Sequence, residues 1–250
     1  MKKNRLKAPF LKKVVFEKSN KREFPFNLPL VSNGLEIEFT KPITIFVGEN
    51  GSGKSTLLEA IAAKCGFSLT GGNRNHLLDE SANQTALSSV AKLFWLPKVT
   101  KGFFMRAECF FDFATQIDEI AKTDARVLSS YGDKSLLAQS HGESFLSLFN
   151  NRFGERGVYI LDEPEAALSP TRQLSLLAIM NQMEKEEQNQ FIIATHSPIL
   201  LSYPSAEILS LDSGKLKPIE YKETEHYKLT KAFLENPERF FRHLFSEEKK

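Results

Sequence analysis

Ile43-Thr44-Ile45-Phe46-Val47-Gly48-Glu49-Asn50-Gly51-Ser52-Gly53-Lys54-Ser55-Thr56 is the stretch that decides the fold. Ile43–Val47 is a β-branched, apolar run of the kind buried on both faces of a central strand. It breaks into a loop, and from Lys54 to Lys64 the residues have helical spacing. Between strand and helix stands the complete Gly-x-x-x-x-Gly-Lys-Ser/Thr pattern. Glycines let such a loop turn so that several backbone N–H groups point inward at phosphate oxygens. The helix beginning near Lys54 adds the positive end of its dipole. Gly48, Asn50, Gly51, Ser52, Gly53, Lys54, Ser55 and Thr56 are therefore expected to form a phosphate-binding loop. Lys54 would reach the β- and γ-phosphates of a nucleotide, and the Ser55 hydroxyl would serve Mg²⁺.

Two further apolar runs end in polar residues. Val158-Tyr159-Ile160-Leu161 runs into Asp162-Glu163-Pro164. A buried strand delivers both carboxylates to the carboxyl edge of the sheet, where ligands of α/β folds bind. One carboxylate there could be a helix cap or a surface charge; two in succession are more specific. Asp162 is expected to hold Mg²⁺, directly or through water, and Glu163 to orient or deprotonate an attacking water. Phe191-Ile192-Ile193-Ala194 runs into Thr195-His196-Ser197-Pro198, which predicts His196 beside the carboxylates, in contact with the γ-phosphate. Ser197 before Pro198 also suits a helix N-cap. Gln139-Ser140-His141-Gly142-Glu143-Ser144 precedes an apolar helical stretch, Phe145 to Phe149. Ser140 with Glu143 is a capping box, and a helix N-terminus carrying Ser140 and Gly142 is a candidate anion site.

The rest of the chain is consistent with one α/β domain over 1–250. Lys12–Phe16 and Leu35–Phe39 read as strands, with loop between them. Residues of about 67–140 differ in composition and suggest an inserted helical subdomain, within which Gly102–Arg106 reads as a strand and Glu108–Lys122 as a helix. Pro170–Glu187 reads as a helix, Glu207–Leu211 as an edge strand, and Tyr227–Phe245 as helix restarting at Pro237. The net charge of +2 is too small to argue for nucleic acid. Residues 1–22 hold nine Lys or Arg against Glu17 alone, a solvated end or a patch for phosphates or an acidic partner. Cys65 and Cys109 stand in no metal-ligand spacing and read as apolar residues of a reducing compartment. No run approaches the roughly 18–20 apolar residues that span a bilayer, and the N-terminus lacks the apolar core of a signal peptide. A cytoplasmic location without direct membrane insertion is expected.

The order of these motifs resembles the ABC ATPase superfamily. More narrowly, the chain resembles soluble, stand-alone bacterial AAA-family ATPases of ABC type. It shares Ser-His-Gly-Glu-Ser at 140–144, Leu-Asp-Glu-Pro-Glu-Ala-Ala-Leu-Ser-Pro at 161–170 and Ile-Ile-Ala-Thr-His-Ser-Pro at 192–198. Leu28-Pro29, Gly71-Gly72-Asn73 and Phe103 to Phe111 extend the likeness over most of the chain. The resemblance implies a P-loop NTPase fold with a mixed, largely parallel sheet and an inserted helical subdomain. It implies ATP and Mg²⁺ as ligands, with Glu163 and His196 at the hydrolytic step. It also implies an ATP-dependent head-to-tail homodimer, in which Ser140 and Gly142 of one chain touch the γ-phosphate held by Lys54 of the other.

Departures from the transporter pattern are visible. Gln139-Ser140-His141-Gly142-Glu143 stands where transporters have Leu-Ser-Gly-Gly-Gln, and Ala166-Ala167-Leu168-Ser169 where they have Ser-Ala-Leu-Asp. Gln84 and Gln116 are candidates for the loop glutamine that links Mg²⁺ to the helical subdomain, and Phe24 and Phe26 for the aromatic that stacks on adenine. Three functions follow from the resemblance: a dimerising ATPase switch acting on a cytosolic partner, protein or nucleic acid; the ATP-binding subunit of a membrane transporter; or a non-hydrolysing ATP sensor. About 86 residues separate Lys54 from Ser140, too few for a long coiled-coil arm. A guanine-specifying Asn-Lys-x-Asp string is missing.

Overall fold

A computed structural model describes residues 6–69, 84–138 and 156–245, together with Leu146 and Phe149. The signature-like segment with Ser140 and Gly142, and Gly71-Gly72-Asn73, lie outside the described residues. Two sheets organise the chain. Strands β1 (Leu11–Phe16), β2 (Leu35–Glu38) and β4 (Ala91–Trp95) form an antiparallel sheet in the order β2-β1-β4. The second sheet contains β3 (Ile43–Val47), β5 (Gly102–Arg106), β6 (Gly157–Asp162), β7 (Asn189–Ala194), β8 (Glu207–Ser210) and β9 (Lys217–Pro218). Its order is β5-β6-β7-β3-β8-β9, parallel throughout except for the β8–β9 pair.

The three central strands are apolar on both faces because both faces are covered. Every residue of β3, β6 and β7 is buried. Ile43, Ile45, Tyr159, Leu161, Phe191 and Ile193 point into one core with helices α2 (Phe110–Thr123), α3 (Pro170–Lys185) and α4 (Pro198–Leu201). Phe46, Val158, Ile160, Ile192 and Ala194 point into the other, against helix α1 (Lys54–Cys65) and the antiparallel sheet. Each fully buried side chain of this size contributes about 1.5–3 kcal/mol. Buried Gln190 ties the two sheets together: its Oε1 accepts from Phe10 N and Leu11 N at 2.8 and 2.9 Å, and its Nε2 donates to Leu11 O at 3.0 Å. Helix α1 is buried on most sides and stops at Gly66, whose left-handed φ of 80° lets Phe67 N donate back to Ala62 O.

Of the described residues within about 67–140, Ala91–Trp95 and Gly102–Arg106 join the two sheets, and helical turns occupy Leu87–Val90 and most of the span from Ala107 to Tyr131. Strand β8 was expected at an edge, yet it lies between β3 and β9. The edge falls to the two-residue β9, where Pro218, lacking an N–H, is tolerated. At the opposite end, Gly102 has φ +134°, and a Cβ there would sit 1.8 Å from Val158 O. Only glycine lets β5 lie this close to β6. The chain closes with helices α5 (Glu225–Glu235) and α6 (Pro237–Leu244). No helix among the described residues is long and apolar enough to cross a membrane.

Candidate active site

Because β7 lies between β6 and β3, the carboxyl ends of all three strands open side by side. The 48–53 loop leaves β3 there, and Gly53, with φ 97°, turns it into α1. A Cβ on Gly53 would sit 3.3 Å from Leu28 Cδ1, so the loop of residues 23–34 packs directly on the phosphate-loop backbone. Helix α1 begins with no side-chain cap and no acidic residue in its first turn. Its leading N–H groups are thus available to an anion. Lys54 is 4% exposed, and its Nζ donates to Gly48 O at 2.7 Å and Glu49 O at 3.0 Å. Burial lowers the Lys54 ammonium below its ordinary value, against the pull of Glu163, Asp162, Asp212 and Glu165. Ser52 Oγ is buried without a hydrogen-bond partner. Asp212 braces the loop by accepting from Glu49 N at 3.2 Å and from Ser210 Oγ at 2.7 Å. Asn50 and Gly51 are exposed, and Thr56 is half-buried in α1.

Asp162, at the end of β6, is 1% exposed. Its Oδ1 accepts from Ser55 Oγ at 3.1 Å, so both candidate Mg²⁺ ligands lie together. Its Oδ2 accepts from Arg106 Nε at 2.9 Å. Arg106 ends β5 and also pairs with Glu59 and, at 3.3 Å, with Glu108. Burial pushes the Asp162 carboxyl above the usual range, while Arg106 and Ser55 pull it down. Burial alone would lower the Arg106 guanidinium; Asp162 and Glu59 outweigh it and hold it above its usual range. A cavity of about 270 Å³ opens here, lined by Ser55, Arg106, Glu108, Asp162 and Glu163 among others. Arg106 escaped the sequence reading. Its signal was a charge closing a short apolar run, one strand over from the acidic strand. Arg106 and Glu108 line this cavity where Gln84 and Gln116 do not.

Glu163 follows Asp162 with φ 48° and ψ 52°, a left-handed conformation unusual for a non-glycine residue. Its N–H donates to Ala194 O at 2.9 Å, across to β7, and Pro164 ends the strand. His196 leaves β7 with its own N–H donating to Glu165 Oε1 at 2.6 Å. Ser197 caps α4 through Ile199 N and Leu200 N. These anchors bring His196 Nε2 to 3.5 Å from Glu163 Oε1, beyond a well-formed hydrogen bond. His196 Nδ1 lies 2.7 Å from His226 Nε2 on α5. Burial and then Lys54 lower the His196 imidazole below its ordinary value, and Glu163 opposes them. Neither Glu165 nor His226 is given a role by the sequence alone. His226 lies 30 residues from His196 in sequence, and nothing local announces their meeting.

These features fit a polyphosphate. An uncapped helix start, a buried lysine and two orphaned polar atoms, Ser52 Oγ and His196 Nε2, converge on one edge. Among the described residues no three His, Cys, Asp or Glu side chains cluster as a metal cage. A Mg²⁺ ion shared between Ser55, Asp162 and substrate phosphates requires no such cage. Phe26 is buried in the core, whereas Phe24 stands exposed on the same loop.

Comparison with known proteins agrees with this geometry. The AAA domain family (AAA_23) matches residues 22–236. The chain is 28% identical over 210 residues to the thiamine import ATP-binding protein ThiQ of Rhizobium meliloti (strain 1021), across 75% of this chain and 87% of that one. It is 25% identical over 191 residues to the energy-coupling factor transporter ATP-binding protein EcfA2 of Ligilactobacillus salivarius (strain UCC118), across 69% of this chain and 65% of that protein. In the latter case the match spans just under two thirds of the relative's length. The solved ADP conformation of MJ1267, an ATP-binding cassette of an ABC transporter, superposes with a TM-score of 0.53 at 16% identity, covering 96% of this chain and all of that one. That likeness speaks to the fold. The chain belongs to the AAA domain family, and within it is an ABC-type P-loop ATPase.

Proposed function

We propose that the chain binds Mg²⁺-ATP at residues 48–56 and works as a cytoplasmic, dimerising switch that hydrolysis resets. The observation that carries this reading is the placement of Glu163 beside His196, on the same sheet edge as Lys54 and Asp162. In this reading the first-turn N–H groups of α1 and the Lys54 ammonium bind the β- and γ-phosphates. Ser55 and Asp162 would hold Mg²⁺, which would supply charge neutralisation at the phosphates. Glu163 accepts the proton of the attacking water, and its strained backbone fixes the carboxylate toward that position. His196 Nε2 donates to a γ-phosphate oxygen. Phe24 offers a face to the adenine. Ser140 and Gly142 of one copy meet the γ-phosphate held by Lys54 of a second.

Phosphate release tests the hydrolytic part. Glu163→Gln is expected to lower kcat by about 10²–10⁴-fold while ATP binding persists. Unchanged turnover would remove Glu163 from this role. Phe24→Ala is expected to raise KM for ATP and leave kcat near wild type; an unchanged KM would return Phe24 to the status of a surface residue.

A second reading is favoured by one finding: the relatives are import and transporter ATP-binding proteins. In that reading the chain is the ATP-binding subunit of a transporter, held at the membrane by another protein. Co-purification with a multi-span membrane protein from the source cells would support it. Recovery without any such protein supports the switch.

A further inference from the structure

His196 is held at two points, and the second comes from outside the core motifs. Its N–H is held by Glu165 and its Nε2 faces Glu163, while Nδ1 meets His226 Nε2 at 2.7 Å. The rings are 4.8 Å apart and inclined by 52°, an in-plane hydrogen-bond approach rather than a stack. A hydrogen bond between two imidazoles needs one N–H and one lone pair. Two arrangements satisfy it. In the first, His196 Nδ1 donates, which leaves the His196 Nε2 lone pair facing the Glu163 carboxylate, acceptor against acceptor. In the second, His226 Nε2 donates to His196 Nδ1, and His196 Nε2 carries the hydrogen toward the carboxylate and any phosphate oxygen. Only the second turns a hydrogen, rather than a lone pair, toward the carboxylate. Which nitrogen of a histidine holds the hydrogen is set by the bond the other one makes.

We infer that His226 is a positioning residue for hydrolysis: its Nε2–H, donated to His196 Nδ1, holds His196 in the tautomer whose Nε2–H faces Glu163 and the γ-phosphate. The inference rests on the role proposed for His196. The fold prepares His226 for the task. Thr224 is buried and caps α5 by accepting from Tyr227 N at 3.4 Å, which sets His226 in the first turn. A helix N-terminus favours a neutral imidazole there, and burial, His196 and Lys54 act in the same direction. A cavity of about 400 Å³ lies beside the pair, lined by Glu49, Asn50, His196, Glu225, His226 and Leu229. It opens from the phosphate loop onto α5, so the positioning residue borders the space next to the loop.

Two measurements on the full-length protein test this. The first needs no substrate: long-range ¹H–¹⁵N spectra of the imidazoles near pH 7.5, with His196 assigned by its loss in His196→Ala. The expected wild-type pattern is Nε2–H with a bare Nδ1 at His196. A protonated Nδ1 at His196 overturns the inference even if both His226 variants fail to fold. The second is steady-state ATP turnover of His226→Leu and His226→Gln. Leu fills the space without a donor, whereas Gln can place an amide N–H where Nε2 stands. His226→Leu is expected to lower kcat by about 10–100-fold, by analogy with the loss of a partner that orients a metal-ligating histidine. KM for ATP should stay near wild type, and His226→Gln should recover most of kcat. Equal loss in both variants, or a rise in kcat with Leu, overturns the inference. If His196→Ala is impaired and His226→Leu is not, this inference alone falls. If His196→Ala turns over normally, the role of His196 falls and this inference with it.

Discussion

Asp162 is the residue on which electrostatics and function meet. It is nearly inaccessible, and Arg106 supplies its compensating cation through a fork shared with Glu59. Removing one partner of a buried pair leaves an uncompensated charge, at a cost of about 3–5 kcal/mol. Arg106→Ala is therefore expected to lower unfolding stability by that order in urea titration, with the Asp162 carboxyl pushed further upward. Arg106→Lys should recover only part, because a point charge cannot bridge both carboxylates. Stability equal to wild type in the Ala variant would contradict the account. Lys54, Asp162, Glu163 and His196 were legible in sequence because each closes or follows an apolar run that reads as a core strand. Arg106, Glu165 and His226 were not, because their roles arise from strand order and from a helix docked at long range.

At the scale of elements, the sheet depends on a close approach that only a missing side chain permits. Gly102→Ala would place a methyl 1.8 Å from Val158 O and force a φ of +134° on alanine. The strand β5 would have to move from β6, and a loss of at least about 3 kcal/mol is expected in denaturant titration. Tolerance of alanine would mean that β5 pairs otherwise. The central strands β3, β6 and β7 were readable since burial on both faces writes itself as unbroken apolar residues. The inner position of β8 was not, because its neighbour β9 is two residues long and leaves no pattern to read. Likewise β4 and β5, short and set in a compositionally distinct stretch, gave little sign that they belong to two different sheets.

For the whole molecule, acid and assembly are the informative variables. The folded pKa values of His196 and His226 both lie below the ordinary value, with burial the leading cause in each. As pH falls below about 6.5, the unfolded chain takes up protons that the folded pair resists. This contribution to stability is present above that pH and is lost as pH falls through the folded values. The groups facing the pair include Lys54, Glu163, Asp212 and Glu225. Melting temperature should drop between about pH 7 and 5.5, and the drop should shrink when both histidines are replaced by Gln. An identical slope in that variant would place the acid sensitivity elsewhere.

The proposed switch closes on ATP and opens on hydrolysis. Its most direct test is light scattering of Glu163→Gln with and without Mg²⁺-ATP, beside wild-type turnover under the same conditions. The variant is expected to double in mass only when Mg²⁺-ATP is present and to stay so, while wild type hydrolyses ATP and returns to the monomer. A variant that binds ATP and remains monomeric, beside a wild type that turns ATP over, would contradict it.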